Sequence, residues 1–305
     1  MLRQANCIKR KASGSAFTLQ ADTGESFLIK TIILGEVVTT TDPTIRVDRK
    51  TVGFYRGGAA GLSHLGHQAD TFLHTNLMEW LASKNINMTI PVAEGQELAI
   101  DRGVGDIGDV TVIYDMYDAG DILATMPNGT DAKEYTFIQY MTTSAALAKA
   151  GDHLLDLSLS PGEFPDFPCG KVVPARSGID ILGIIGAPVS EFADPGNVTS
   201  QYLKLIKDRE ILFDEDRNGI PFFATEADAG VAAKYITDMS LIGDCVSVGA
   251  DLSDPGYGLP LLFDPPLHFV SGEELLVYLN VGWVTPGTLA ATDVRVAMIE
   301  HVKVE

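Results

Sequence analysis

Cysteine is scarce in this 305-residue chain: Cys7, Cys169 and Cys245 stand far apart, with no CxxC pair. An odd number at wide spacing signals neither a disulfide framework nor a zinc knuckle, and it fits a reducing compartment. Basic residues are also few. Twenty-two Lys and Arg against 41 Asp and Glu leave a net charge of −19, which repels phosphate backbones and argues against sequence-specific nucleic-acid binding. Tryptophan occurs only at Trp80 and Trp283, both in apolar stretches, so no exposed aromatic platform for sugars is laid out. The longest apolar runs, such as residues 181–189, fall short of a membrane span, and the charged first residues lack the apolar core of a secretory leader. There is no P-loop, dinucleotide fingerprint, G-x-S-x-G elbow or H-E-x-x-H. Six His and three Cys, scattered as they are, leave few ways to pair a nucleophile with a base, so no enzyme and no organic cofactor are expected.

What the chain does have is strand pattern. Apolar residues make up 46% and charged ones 21%, enough to fill complete cores. The length suits two domains of about 150 residues each. Residues 27–38 are an almost continuous β-branched run, and residues 44–55 set Ile45 and Val47, then Val52 and Phe54, on either side of Asp48-Arg49-Lys50. Residues 68–84 change period, with Phe72, Leu73, Leu77, Trp80 and Leu81 at helical spacing and Asp70 as the expected N-cap. Strand character returns over residues 88–101 and 109–117, around the turn Gly103-Val104-Gly105-Asp106. Residues 119–132, with Gly120, Pro127, Asn128 and Gly129, lose periodicity and are the expected linker.

Beyond that point the plan recurs in the same order. IDILGIIGAPV (residues 179–189) matches FLIKTIILGEV (residues 27–37), and Asp208-Arg209 in residues 202–214 matches Asp48-Arg49. A weaker helical stretch, residues 228–239 with Ala232, Ala233, Tyr235 and Ile236, takes the slot of the first helix. Gly272-Glu273-Glu274-Leu275 then mirrors Gly95-Gln96-Glu97-Leu98, and Asp293-Val294-Arg295-Val296 mirrors Asp109-Val110-Thr111-Val112. Five colinear matches suggest a duplicated unit.

A G-x-x-L-x-[IV] block, a turn, then D-V-x-V is similar to the closing strands of a jelly roll, where an edge turn feeds two long strands in facing sheets. Two in tandem resemble the double jelly-roll major capsid proteins of icosahedral viruses, many of which have an internal membrane. The resemblance implies an all-β fold of two jelly-roll barrels or sandwiches, one short helix inserted in each. The expected division is a basic N-terminal arm at 1–15, a first barrel at 16–124 and a second with longer loops at 125–305. It also implies a homotrimeric capsomer of pseudo-hexagonal outline in a capsid lattice, with other virion proteins as partners and assembly in the host cytoplasm into the virion. The alternatives are a virion spike, decoration or other carbohydrate-binding β-sandwich protein, and a duplicated cupin-like metalloenzyme.

Four segments are candidate sites. Arg3, Lys9, Arg10 and Lys11 lie in an acid-free stretch, residues 1–12, which as an arm would face the internal lipid membrane or genome. Asp214-Glu215-Asp216-Arg217-Asn218-Gly219 opens like a calcium loop, with Asp214, Asp216 and Asn218 as ligands, but the twelfth position is Thr225 and the acid comes one place late at Glu226. A β-hairpin turning at Asn218-Gly219 between residues 210–213 and 220–223 is the preferred expectation, with calcium as the ion left open. His64, His67 and His74 crowd eleven residues without metal-ligand spacing. Asp22-Thr23-Gly24 carries the aspartic-protease triplet but lacks its apolar lead-in and a partner triplet, so a turn is expected. The N-x-T triplets at Asn87, Asn128 and Asn197 are read as chance matches.

Overall fold

Period-two alternation becomes strands across most of the chain, and among the described residues one helix interrupts them. The computed structural model describes residues 1–11, 16–35, 43–55, 67–69, 72–73, 76–101, 109–146, 149–187, 198–213, 220–221, 224–226, 234–236, 260–283 and 295–305. The chain divides into two compact units, Met1–Ile138 with His301–Glu305, and Gln139–Glu300. Residues 119–132, expected as a linker, bond within the first unit: Ala119 N donates to Gly24 O at 3.0 Å, and Asn128 Nδ2 donates to Asn87 O and Thr89 O. Among the described residues no helix is long and apolar enough to cross a membrane.

Unit 1 holds β1 (Leu2–Lys11), β2 (Ala16–Gln20), β3 (Glu25–Gly35), β4 (Thr44–Val47), β5 (Lys50–Phe54), β6 (His67–Ala69), β7 (Phe72–Leu73), α1 (Leu77–Ser83), β8 (Ile90–Val92), β9 (Glu97–Asp101) and β10 (Val110–Asp118). One sheet runs β1-β10-β3-β6-β7 with β8 also on β3, and a second runs β2-β9-β4-β5. The second sheet buries Phe17, Leu19, Ile45, Val47, Leu98 and Ile100 to 4% exposure or less, on alternate positions. The first buries Phe27, Ile29, Val110 and Val112 to 2% or less. Sheets that each hide one face in this way pack as layers around a shared core.

The helix is shorter than its sequence pattern. Asn76, not Asp70, is its N-cap, accepting at Oδ1 from Met78 N (2.9 Å) and Glu79 N (3.3 Å) while its Nδ2 donates to Ile32 O (2.7 Å). Residues 67–69 and 72–73 form strands instead, because β6 finds the edge of β3 (Leu34↔His67), and sheet pairing outweighs weak helical propensity there.

Unit 2 and its flanks hold β11 (Glu134–Thr142), β12 (Gly151–Leu154), β13 (Leu157–Ser158), β14 (Ser177–Ala187), β15 (Val198–Lys207), β16 (Glu210–Phe213), β17 (Ile220–Pro221), β18 (Ala224–Glu226), β19 (Lys234–Ile236), β20 (Leu261–Val270), β21 (Leu275–Trp283) and β22 (Arg295–Val304). Its sheets run β13-β11-β22-β14-β20 and β12-β21-β15-β16, with β17 also on β15. The helix expected over residues 228–239 is not there in its described part: residues 234–236 are β19, paired with β18. Strands β16 and β17 do not form a hairpin with each other. Both pair with β15, β16 opposite residues 205–207 and β17 opposite 202–203, so they are successive pieces along one edge. The hairpin lies one turn earlier, at Asp208-Arg209, where both residues have positive φ (44° and 78°) as a two-residue type I′ turn requires.

The two units follow one plan. Order β1-β10-β3-β8 corresponds to β11-β22-β14-β20, and β2-β9-β4-β5 to β12-β21-β15-β16. The match reaches individual bonds. Asp48 N donates to Glu97 O (2.8 Å) and Glu97 N to Asp48 Oδ1 (3.1 Å); Asp208 N donates to Glu274 O (3.2 Å) and Glu274 N to Asp208 Oδ1 (2.9 Å). Gly95 N donates to Ala21 O and Gly272 N to Val173 O, at φ 81° and 87°, where glycine is favoured. Gln96 Oε1 accepts from Ala93 N as Glu273 Oε2 accepts from Val270 N. Pairs Phe27↔Val92 and Ile29↔Ile90 recur as Ile179↔Phe269 and Ile181↔Leu267.

Asp208 and Arg209 therefore carry opposite expectations. Asp208→Ala removes the acceptor for Glu274 N and strains the turn, lowering stability by about 1–2 kcal/mol. Arg209→Gly relieves a positive φ and raises it by about 0.5–1 kcal/mol. Denaturant unfolding of the full chain measures both.

Candidate functional site

The cationic N-terminal segment is not an arm projecting from the first unit. Leu2–Lys11 is β1, antiparallel to β10 from Leu2↔Tyr117 to Lys11↔Val110. Its physical anchor is Cys7, 7% exposed and opposite Tyr114; burial, then the nearby Asp115 charge, pushes the Cys7 thiol up from its ordinary value. Asn6 makes a bulge at φ 54°, held by Asp115 Oδ1, which accepts from Asn6 N (2.8 Å), and by Lys30 Nζ, which donates to Asn6 Oδ1 (2.8 Å).

The four cations are spread along this strand. Arg3 pairs with Asp118, whose carboxyl is held below its ordinary value chiefly by that hydrogen bond. Arg10 pairs with Asp109, and Lys11 Nζ donates to Ala16 O. Lys9 Nζ stands 5.8 Å from the Phe17 ring centroid. Most of the positive charge therefore meets local acid or carbonyl, and contact with an anionic surface would have to compete with these pairs.

What marks β1 out is how little covers it. Only Cys7 of its ten residues is buried, and Leu2 and Ile8 are 46% and 67% exposed. Among the described residues it pairs on one edge only. Its counterpart β11 is buried from Thr136 to Thr142, and β13 occupies its outer edge through Met141↔Ser158 and Thr142↔Leu157. The difference comes from one insertion. In unit 1, β2 reaches β3 through residues 21–24, whereas in unit 2 β12 breaks off at Leu154 and the pairing resumes at Val172, bridged to Glu274. The intervening residues carry β13, Phe164, Phe167 and Cys169, all but β13 buried.

Asp214, Asp216 and Asn218 lie outside the described residues, as do His64 and His74; His67 falls in β6. Among the described residues no three His, Cys, Asp or Glu side chains converge as a metal group. Asp22-Thr23-Gly24 forms the expected turn, with Glu25 N donating to Asp22 O (3.0 Å) and Gly24 N to Glu94 Oε1 (2.7 Å). Asn128 is 4% exposed, with its amide nitrogen donating to two carbonyls and its Oδ1 accepting from Thr136 N (2.7 Å). A Cβ at the next residue, Gly129, would stand 2.1 Å from Ala124 O, so this N-G-T serves the loop's packing. Comparisons with protein-family models, curated proteins and solved structures give no match.

Two outcomes follow. Deleting residues 1–11 uncovers the edge of β10 and is expected to lower the melting temperature of the full chain by several degrees, where a detached arm would leave it unchanged. Asn128→Ala orphans three backbone groups and forces Ala to φ 62°, costing about 2–4 kcal/mol in a denaturant titration.

Proposed function

We propose that this chain is a viral structural protein, the major capsid protein of an icosahedral shell, with each unit a jelly roll and three chains forming a pseudo-hexameric capsomer. The observation that carries the proposal is the strand order. Counting eight main strands per unit, the sheets read 1-8-3-6 and 2-7-4-5 in both, the arrangement in which a jelly roll interleaves its strands between two layers. Two like units per chain, repeated about a threefold axis, present six similar lobes, which fill a near-hexagonal lattice position without six chains.

The uncovered β1 supports the same reading. A strand that pairs on one edge only among the described residues, with exposed Leu2 and Ile8, is a liability in a lone protein and suits one that assembles. Its partners are further copies, other virion proteins and, through the cations of β1, an internal membrane or the genome. Mass measurement in solution tests the central claim: the full chain is expected to run as a trimer at micromolar concentration, and a stable monomer across that range would sink the proposal.

A further inference from the structure

Glu300 lies on β22 at 0% exposure, and neither of its carboxyl oxygens has a hydrogen-bond partner among the described residues. The same is true of Gln139 Oε1 on β11, whose residue is also fully buried. The two strands are neighbours in one sheet. Thr136 Oγ1 lies 3.0 Å from His301 Nδ1, and Val304 N donates to Lys133 O at 2.8 Å, so residue 136 stands across from 301 and 133 from 304. Side chains alternate along a strand, which puts Gln139 and Glu300 together on the face opposite Thr136 and His301, diagonal to each other and within reach of two long side chains.

The amide donor at this spot is already committed. Gln139 Nε2 donates to Ser158 Oγ (2.9 Å) and approaches Cys169 Sγ (3.5 Å). An ionised Glu300 would add two acceptors to the unmet Gln139 Oε1, making three buried acceptors without a hydrogen-bond partner among the described residues. One proton resolves the conflict.

We propose that Glu300 is held as a neutral acid whose O–H donates to Gln139 Oε1, a proton-operated latch between β11 and β22 that weakens as pH rises. Burial alone drives the Glu300 carboxyl well above its ordinary value. Cys169 is pushed up to about 12, first by burial, and the Glu300 charge adds to that rise. The thiol stays neutral throughout the range that matters. The inserted segment contributes Cys169, which Gln139 Nε2 approaches, and Asp166, whose charge acts on that thiol. On the same face β11 contributes Phe137 and Met141, and β22 contributes Met298 and Val302, none of which titrates. On β14 the acid is Asp180, which pairs with His268. His301 and Glu134, 4.0 Å apart, occupy the opposite face.

The direction follows from linkage. The folded chain keeps a proton that the unfolded chain loses near the ordinary glutamate value of 4.5. Stability from this site is therefore fully present below that value, falls as pH climbs toward the raised folded value, and levels off above it.

Thermal melts of the full chain from about pH 4 to about pH 8 test the latch, with Glu300→Gln supplying a permanent amide donor. Wild type is expected to lose several degrees as pH rises, whereas Glu300→Gln melts close to wild type at the acid end, loses most of the slope and melts higher at the alkaline end. His301→Gln should keep the wild-type slope. A Glu300→Gln profile parallel to wild type, or lower at every pH, overturns the proposal. Should that variant fail to fold, infrared spectroscopy of the wild type at neutral pH decides: a neutral carboxylic acid band supports the latch, and its absence overturns it.

Discussion

The second sheet of each unit depends on a two-way bond between an aspartate at a hairpin tip and the glutamate that opens a neighbouring strand. Asp48 with Glu97 and Asp208 with Glu274 each exchange a backbone bond and a backbone-to-carboxylate bond. Strand period is two, so a slip of one residue between β4 and β9 would turn Ile45, Val47, Leu98 and Ile100 from the core to water. Each bond is modest, about 1 kcal/mol net. Its effect is larger as a choice between registers, because the wrong pairing loses the clamp and the core together. Gly95 and Gly272 then let the chain turn directly beside the clamp, where their N–H groups bond to Ala21 O and Val173 O, in the segments that lead into β3 and β14.

With the register set, the two units differ mainly in what covers their first strand. The insertion after Leu154 lays β13 along the edge of β11, and Leu159 N bonds to Tyr140 O at 2.8 Å. Strand β11 thereby becomes an interior strand, buried on both faces from Thr136 to Thr142. Strand β1, without such cover, stays amphipathic only at Cys7 and otherwise polar or exposed. The composition of each strand follows its cover: EYTFIQYMT is rich in large apolar residues, and LRQANCIKRK is not.

Much of this frame was legible in the sequence. The described parts of residues 27–38 and 179–189, 27–35 and 179–187, lie in β3 and β14, both D-R pairs became hairpin tips, and both G-x-E-L blocks became the strands clamped to them. These elements are specified locally, by alternation and by turn chemistry that needs no distant partner. The failures share the opposite character. Leu2–Lys11 alternates poorly and looked like a frayed cationic arm, because its place is set by the free edge of β10, far away in sequence. Residues 67–73 kept a helical spacing that pairing with β3 overrides. Residues 220–223 looked like the return strand of an Asn-Gly turn, whereas β17 continues along β15. Glu300 gave one usable signal, a carboxylate set directly after Val296-Ala297-Met298-Ile299 in a run that reads as buried on both faces; its counterpart Gln139 sits among Phe137, Ile138, Tyr140 and Met141 in the same way.

That pairing of buried polar residues bears on why an apolar substitute would not serve equally well. Leucine at position 300 would remove a costly desolvated carboxyl and fill the same space. It would also remove the distinction between the native register of β11 on β22 and its neighbours. Both strands are buried on both faces over residues 136–142 and 296–300, so a slip of one residue exchanges one largely apolar buried row for another. Gln139 and Glu300 break that degeneracy. In the native pairing they share a face and can satisfy each other once a single proton is present, whereas after a one-residue slip of one strand they lie on opposite faces, each alone in an apolar environment. The central pair of the second unit is thus keyed by a buried polar contact for the same reason that the second sheets are keyed by the aspartate clamp: alternation alone cannot choose a register where both faces are hidden.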